Sequence, residues 1–270
     1  MRRAWAAVAA AVLLAGTACG DPSSGDGGGD LNAVQAAADA VDDAGSSRMR
    51  VTTGIDAVGG FEMTFEGVFD YEEKVGSATM TVDVPEGYPG MPTEPTKMIV
   101  DGTYFYVKGG FASTFGGTGA GWVRIDARDI PGGAAQMNQN PAQYVDFLRG
   151  ATADIEEVGE EDVRGVATTR YSAEITAQDI LEYTDAESSK AFVEGFEEMG
   201  GEIAPISTDV WVDADGLPRR MEMQVTVTGV PDLPGGEMTM DSRIELFDFG
   251  VEVDVEPPRK FEEGHPPPGV

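Results

Sequence analysis

Apolar and polar residues alternate with a period of two over long stretches of the chain. Phe61, Met63, Phe65, Gly67, Phe69 and Tyr71 share one parity, and Glu62, Thr64, Glu66 and Asp70 hold the other. In an extended strand that spacing sends the large apolar groups to one side and leaves the polar ones to water. The pattern recurs at Ala78, Met80, Val82 and Val84, and at Met221, Met223, Val225 and Val227. It predicts half-buried antiparallel strands with one face packed and one wet. Near the end the phase changes: Ile244 and Leu246 share one parity, while Phe247, Phe249, Val251, Val253 and Val255 share the other. A β-bulge near Leu246 is the expected cause.

Glycine punctuates these strands where hairpins need positive φ, at Asp101-Gly102, at Arg164-Gly165 and at Gly216 in the run Asp213 to Gly216. Three segments carry helical spacing instead. They are Leu31 to Ala44, Pro141 to Arg149 with proline in the first turn after Asn140, and Ala177 to Met199 with an apolar stripe ended by Gly200-Gly201.

The two ends do not belong to this pattern. Residues 1–18 read as a cleavable export signal, with Arg2 and Arg3 followed by an uncharged apolar run from Ala4 to Leu14. That run is far shorter than the ~20 residues a membrane-spanning helix needs. Residues 19–30, ending in the apolar-free GDPSSGDGGGD, read as a flexible linker, and residues 256–270, rich in proline and charge, as a disordered tail. Between them, residues 31–255 form one domain. Thr17, Ala18 and Cys19 after the apolar run resemble the bacterial lipobox, with Gly16 standing where leucine is usual. The resemblance implies a diacylglyceryl group on the Cys19 sulfur and cleavage before it. Cys19 is the chain's one cysteine, so no internal disulfide forms, and a lone exported thiol is best explained by acylation.

Charge narrows the partners. The formal net charge of −30 becomes −32 once Arg2 and Arg3 leave with the signal. Nucleic-acid binding rests on neutralising phosphates with Lys and Arg, so it is excluded as a function. Anionic headgroups repel such a body, so it stands off the membrane on its tether, and stable residence there requires both acyl chains.

Composition also removes chemistry. The one histidine, His265, lies in the tail, so neither a Ser-His-Asp nor a Cys-His nucleophile can be assembled in the domain, and no thiolate or imidazole zinc site can form. No cofactor or metal is expected. The acidic run Glu156, Glu157, Glu160, Glu161 and Asp162 reads as a solvated face, and the glycine-rich stretch Gly109 to Gly121 as a mobile loop at a cavity mouth or sheet edge. Trp122 and Trp211 read as core anchors, each with an N–H that needs a partner.

The lipobox, the tether, the N-terminal helix, the meander interrupted by helices and the hairpin DVWVDADGLPRRMEM together resemble the actinobacterial LppX/LprG-type lipoproteins, which group with the LolA-like carriers. The resemblance implies an α+β fold: a strongly curved antiparallel sheet, a half-barrel, with helices on its concave side. It also implies an apolar cavity between sheet and helices that holds a lipid or the acyl chains of a lipoglycan for transport or presentation in the cell envelope. The candidate lining residues are Phe61, Met63, Phe65, Met80, Met221, Met223, Met238 and Met240, whose flexible thioethers and rings suit an adaptable apolar surface. The same residues also read as plain core. Three functions follow: a non-enzymatic lipid-binding lipoprotein anchored on the extracytoplasmic face of the cell membrane; a ligand-free interaction or sensory lipoprotein facing a membrane protein partner; and, lowest, a two-carboxylate cell-wall hydrolase, for which no carboxylate pair is singled out.

Overall fold

Each alternating segment pairs with a neighbour in an open sheet. The structure, a computed structural model, describes residues 27–56, 60–85, 92–118, 120–129, 155–179, 193–194, 200–230 and 234–265. Helix α1 (Gly27–Asp43) leads into β1 (Ser46–Ile55), β2 (Phe61–Asp70), β3 (Val75–Asp83), β4 (Thr96–Asp101), β5 (Tyr104–Lys108) and β6 (Val123–Asp126). Then come β7 (Glu156–Val163), β8 (Val166–Ile175), β9 (Glu202–Ile203), β10 (Ile206–Asp213), β11 (Pro218–Thr228), β12 (Glu237–Phe247) and β13 (Glu262–Glu263). The strand order is β13-β6-β5-β4-β3-β2-β1-β12-β11-β10-β8-β7, with β9 beside β11. Among the described residues only the β13–β6 pairing is parallel. This is the expected α+β architecture, a large open antiparallel sheet consistent with a half-barrel.

The alternation decides which face packs. On β1, Met49 and Val51 point inward, and their cross-strand partners Leu246, Ile244 and Phe65 join the same core. Helix α1 contributes Val34, Ala37, Ala38 and Val41, all within 1% of full burial, at the spacing of one helical stripe. It lies against β7, β10 and β11. Its two alanines let the backbone approach the sheet closely, and Gly45 at φ 73° ends it in the left-handed conformation that glycine tolerates. A second, smaller core of Phe105, Val107, Ala112, Val123 and Ile125 fills the β5–β6 end under a 3₁₀ turn, Gly110–Phe115.

Three sequence expectations need correction. Helix α1 begins at Gly27, inside the stretch assigned to the linker. No bulge marks the phase change: β12 pairs with β1 in unbroken register up to Arg48 and Phe247. The strand instead ends there, and Asp248 (φ 51°) and Gly250 (φ 74°) turn the chain away. The tail assigned to disorder is docked as far as His265. Glu262 N–H donates to Trp122 O at 2.8 Å, Gly264 N–H to Arg124 O at 2.7 Å and His265 N–H to Phe115 O at 3.1 Å. Composition pointed to disorder because proline and charge lower the average hydrophobicity, but two backbone hydrogen bonds to the free β6 edge and one to the 3₁₀ turn need no apolar side chains.

The Pro141–Arg149 helix lies outside the described residues. Of the Ala177–Met199 helix, residues 177–179 and 193–194 are helical. Thr176 and Asp179 cap its start reciprocally: Asp179 N–H donates to Thr176 Oγ1 at 3.2 Å and Thr176 N–H to Asp179 Oδ2 at 2.8 Å.

Candidate functional site

Register brings the eight candidate residues onto one face. Ile55 pairs with both Phe61 and Met240; Thr53 pairs with Met63 and Ser242, and Ser242 with Met223. In the next row Met80, Phe65, Val51, Ile244 and Met221 follow one another across five strands. Met238 pairs with the fully buried Val227.

Burial separates them. Met221 (2% exposed) and Met80 (7%) are buried among protein atoms, whereas Phe61, Met63, Phe65, Met223, Met238 and Met240 are half-buried. Phe65, Met238 and Met240 also pack on the main core.

An apolar hollow of about 40 Å³ lies on this face between Met49, Val51, Phe65, Phe69, Met98 and Phe105. Of the eight candidates only Phe65 lines it. The hollow exists because Gly67 and Ala78 are paired in the row between Met49 and Met98, so the middle of that row carries almost no side chain. Strands β2 and β3 also close tightly here: a Cβ built on Gly67 would lie 2.2 Å from Ser77 O. The signal in the sequence was the glycine at an inward position of an otherwise large apolar strand.

One polar stripe interrupts the face. Thr53 Oγ1 and Ser242 Oγ are 3.3 Å apart, and Thr208, opposite Met223, is 1% exposed with no hydrogen-bond partner for its Oγ1 among the described residues.

The opposite face is ionic. Arg170 forms a bidentate pair with Asp209 at 3.1 and 2.8 Å, and Arg220 and Arg164 both reach Glu245, at 3.1 and 2.9 Å. Arg170 and Arg220 also stack on Trp211, whose indole N–H donates to Glu161 at 2.9 Å. Burial pushes the Glu245 carboxyl up, but hydrogen bonds from the two arginines outweigh it and the net shift is downward. Burial raises the Tyr71 phenol to about 12, opposed by its hydrogen bond with Ser47. That pair ties the end of β2 to the start of β1 beneath α1.

Among the described residues no group of three His, Cys, Asp or Glu side chains converges to hold a metal, and no helix is long and apolar enough to cross a membrane. The acidic run forms edge strand β7, and the glycine-rich stretch sits at the β6 edge, where Glu262 accepts from Thr118 N–H at 3.3 Å. Cys19 lies outside the described residues.

No family model matches the chain. An uncharacterised 31.2 kDa protein from the rplA-rplJ intergenic region of Streptomyces griseus is 31% identical over 167 residues, which is 57% of this chain. The chain spans about half the length of that relative, 51%. The crystal structure of LprF from Mycobacterium bovis superposes with a TM-score of 0.51 at 18% identity, over 88% of this chain and 99% of that one. The Mycobacterium tuberculosis lipoprotein LppX gives 0.49 at 14% identity, over 85% and 99%. The chain therefore has the fold seen in LprF, and the expected resemblance holds at the level of fold.

Proposed function

We propose that this chain is a non-enzymatic extracytoplasmic lipoprotein, held to the cell membrane through lipid on Cys19, whose inward sheet face binds the acyl part of a lipid or lipoglycan for transport or presentation. The observation that carries this reading is the set of half-buried side chains at Phe61, Met63, Phe65, Met223, Met238 and Met240, aligned on one face beside a hollow. A water-soluble body gains nothing by leaving such groups partly exposed. Each buried methylene of a ligand that covered them would contribute about 0.8 kcal/mol. Four of the six are methionines, whose unbranched side chains repack at small cost, so the hollow can widen around a chain. The LprF-like fold supports the same reading.

The test is to extract the purified chain with organic solvent and analyse the extract by mass spectrometry. Near-stoichiometric acyl lipid, lost with no loss of folding when the face is filled by larger side chains, is expected. An extract free of lipid, together with no uptake of a fluorescent fatty acid, overturns the carrier reading. A Cys19→Ala chain should leave the membrane fraction; if it stays, the anchor assignment fails independently.

A second reading, a ligand-free interaction or sensory lipoprotein, is favoured by the smallness of the hollow, about 40 Å³, and by the filled positions at Met80 and Met221. One protein partner captured at fixed stoichiometry by cross-linking, with no co-purified lipid, would select it.

A further inference from the structure

After β12 the chain crosses the outer, ionic face of the sheet as a strap. At its start Gly250 N–H donates to Ser46 O at 2.9 Å and Ser46 Oγ to Val251 O at 2.6 Å. At its far end β13 joins β6, Phe261 packs edge-on to Tyr106 with ring centroids 5.5 Å apart, and Arg124 pairs with Glu263 at 2.6 Å. In between, residues 252–261 make no backbone hydrogen bond among the described residues. Val251, Val253 and Val255 are half-buried and Glu252, Asp254 and Glu256 are exposed, so the strap presents one apolar and one acidic edge.

The strap does not lie flat. A groove of about 750 Å³ remains between it and the outer surface of β1–β4, with Trp122, Ile99, Val68, Phe247 and Val255 in its apolar lining and Lys97, Glu252 and Asp254 among its charged groups. That volume falls within the ~300–1,000 Å³ of small-ligand sites. The Lys97 ammonium and the Trp122 indole N–H have no hydrogen-bond partner among the described residues, and neither have the Glu252 and Asp254 side chains. Arg48, also in the lining, is already paired with Asp248 at 3.3 Å.

We infer that this groove binds a neutral saccharide, one ring lying against Trp122 with its hydroxyls meeting Lys97 and the strap carboxylates. Three classes of occupant compete, and the chemistry of the lining separates them. A bare hydrocarbon would strip water from Lys97, Glu252 and Asp254 and return no hydrogen bond. An extended peptide pairs through its backbone, but β2, β3 and β4 are interior strands whose ladders are already satisfied on both sides, and pairing with the strap's free backbone groups would not by itself engage Trp122 or Lys97. Groups of both signs in the lining leave no field that selects a strongly charged ligand. A pyranose ring combines an apolar C–H face with a rim of hydroxyls that both donate and accept, which is what an indole flanked by free donors and acceptors can satisfy. The site is on the face opposite the proposed acyl surface and does not depend on it.

The full chain, solubilised in mild detergent, can be titrated with maltotetraose, mannotetraose and chitotetraose by calorimetry and by saturation-transfer NMR. At least one should bind, at least tenfold more weakly to Trp122→Ala and severalfold more weakly to Lys97→Gln, with lipid content of the same samples unchanged. Should Trp122→Ala fail to fold, the exposed Lys97→Gln variant decides. Absence of binding by all three sugars at millimolar concentration overturns the inference, and so does sugar binding indifferent to the substitutions or displacement of the sugar by palmitate or by an extended peptide.

Discussion

Gly264 sits so close to Val123 that a Cβ built on it would lie 2.5 Å from Val123 Cγ1, with Ile125 Cγ1 and Phe115 O both at 3.1 Å. Val123 and Ile125 are each 1% exposed and cannot move aside without disturbing the smaller core. The tail thus locks onto β6 through a position that accepts only glycine.

Gly264→Ala should therefore release the tail. Overpacking of this kind costs about 1–3 kcal/mol, more than two short backbone hydrogen bonds at a sheet edge return. Limited proteolysis should then cut within residues 256–265 while the rest of the sheet stays intact. A tail as resistant as that of the unaltered chain would show that the contact relaxes.

Thr208 carries a buried hydroxyl without a partner among the described residues, which costs roughly 1–3 kcal/mol relative to a satisfied one. Its surroundings, Ala173, Met223, Ile206 and Val210, are apolar. Thr208→Val should raise the urea midpoint by an amount worth about 1 kcal/mol, with the slope unchanged. A lower midpoint would mean that the hydroxyl does find an acceptor.

Glu245 is held below the usual carboxylate range by Arg164 and Arg220 against the opposing effect of burial. A depressed folded value means that its stabilisation is fully present above the unfolded value, ~4.3 for Glu, and is lost as pH falls through the lower folded value. Glu245→Gln should be less stable than the original chain near neutrality, and the gap should narrow in acid. Equal pH dependence of the two chains would assign the acid sensitivity elsewhere.

Met63 and Met240 are half-buried; Met63 continues the row of the polar stripe on β2 and Met240 lies in the row beside it. Replacing both with Trp should fill the space an acyl chain would use and reduce extractable lipid at least fivefold, with the melting temperature changed by only a few degrees. Lipid content unaffected by both bulky groups would place the ligand elsewhere.

How far the chain could be read without its fold differs between elements. The β7–β8 hairpin was legible from Arg164-Gly165 because a two-residue turn demands positive φ at both positions, and both have it, at 53° and 81°. The inward set at Phe61, Met63 and Phe65 was legible because a strand has only two sides. The hollow at Gly67 was not, since a glycine in a strand also signals a bulge or a bend. The groove under the strap was not legible either: it depends on Trp122, Lys97 and Val255, which come from three separate parts of the sequence.

Local order along the chain was enough to determine the strands, the orientation of their side chains and the hairpin positions. These properties follow from backbone sterics and composition, which act over a few residues. Only the tertiary structure decided that Met221 is enclosed while Met240 stays partly open, that α1 covers one half of the inward face, and that an acidic, proline-rich tail closes the β6 edge. Those outcomes depend on which distant segment comes to lie against a given side chain, and period-two alternation is the same whatever the covering segment.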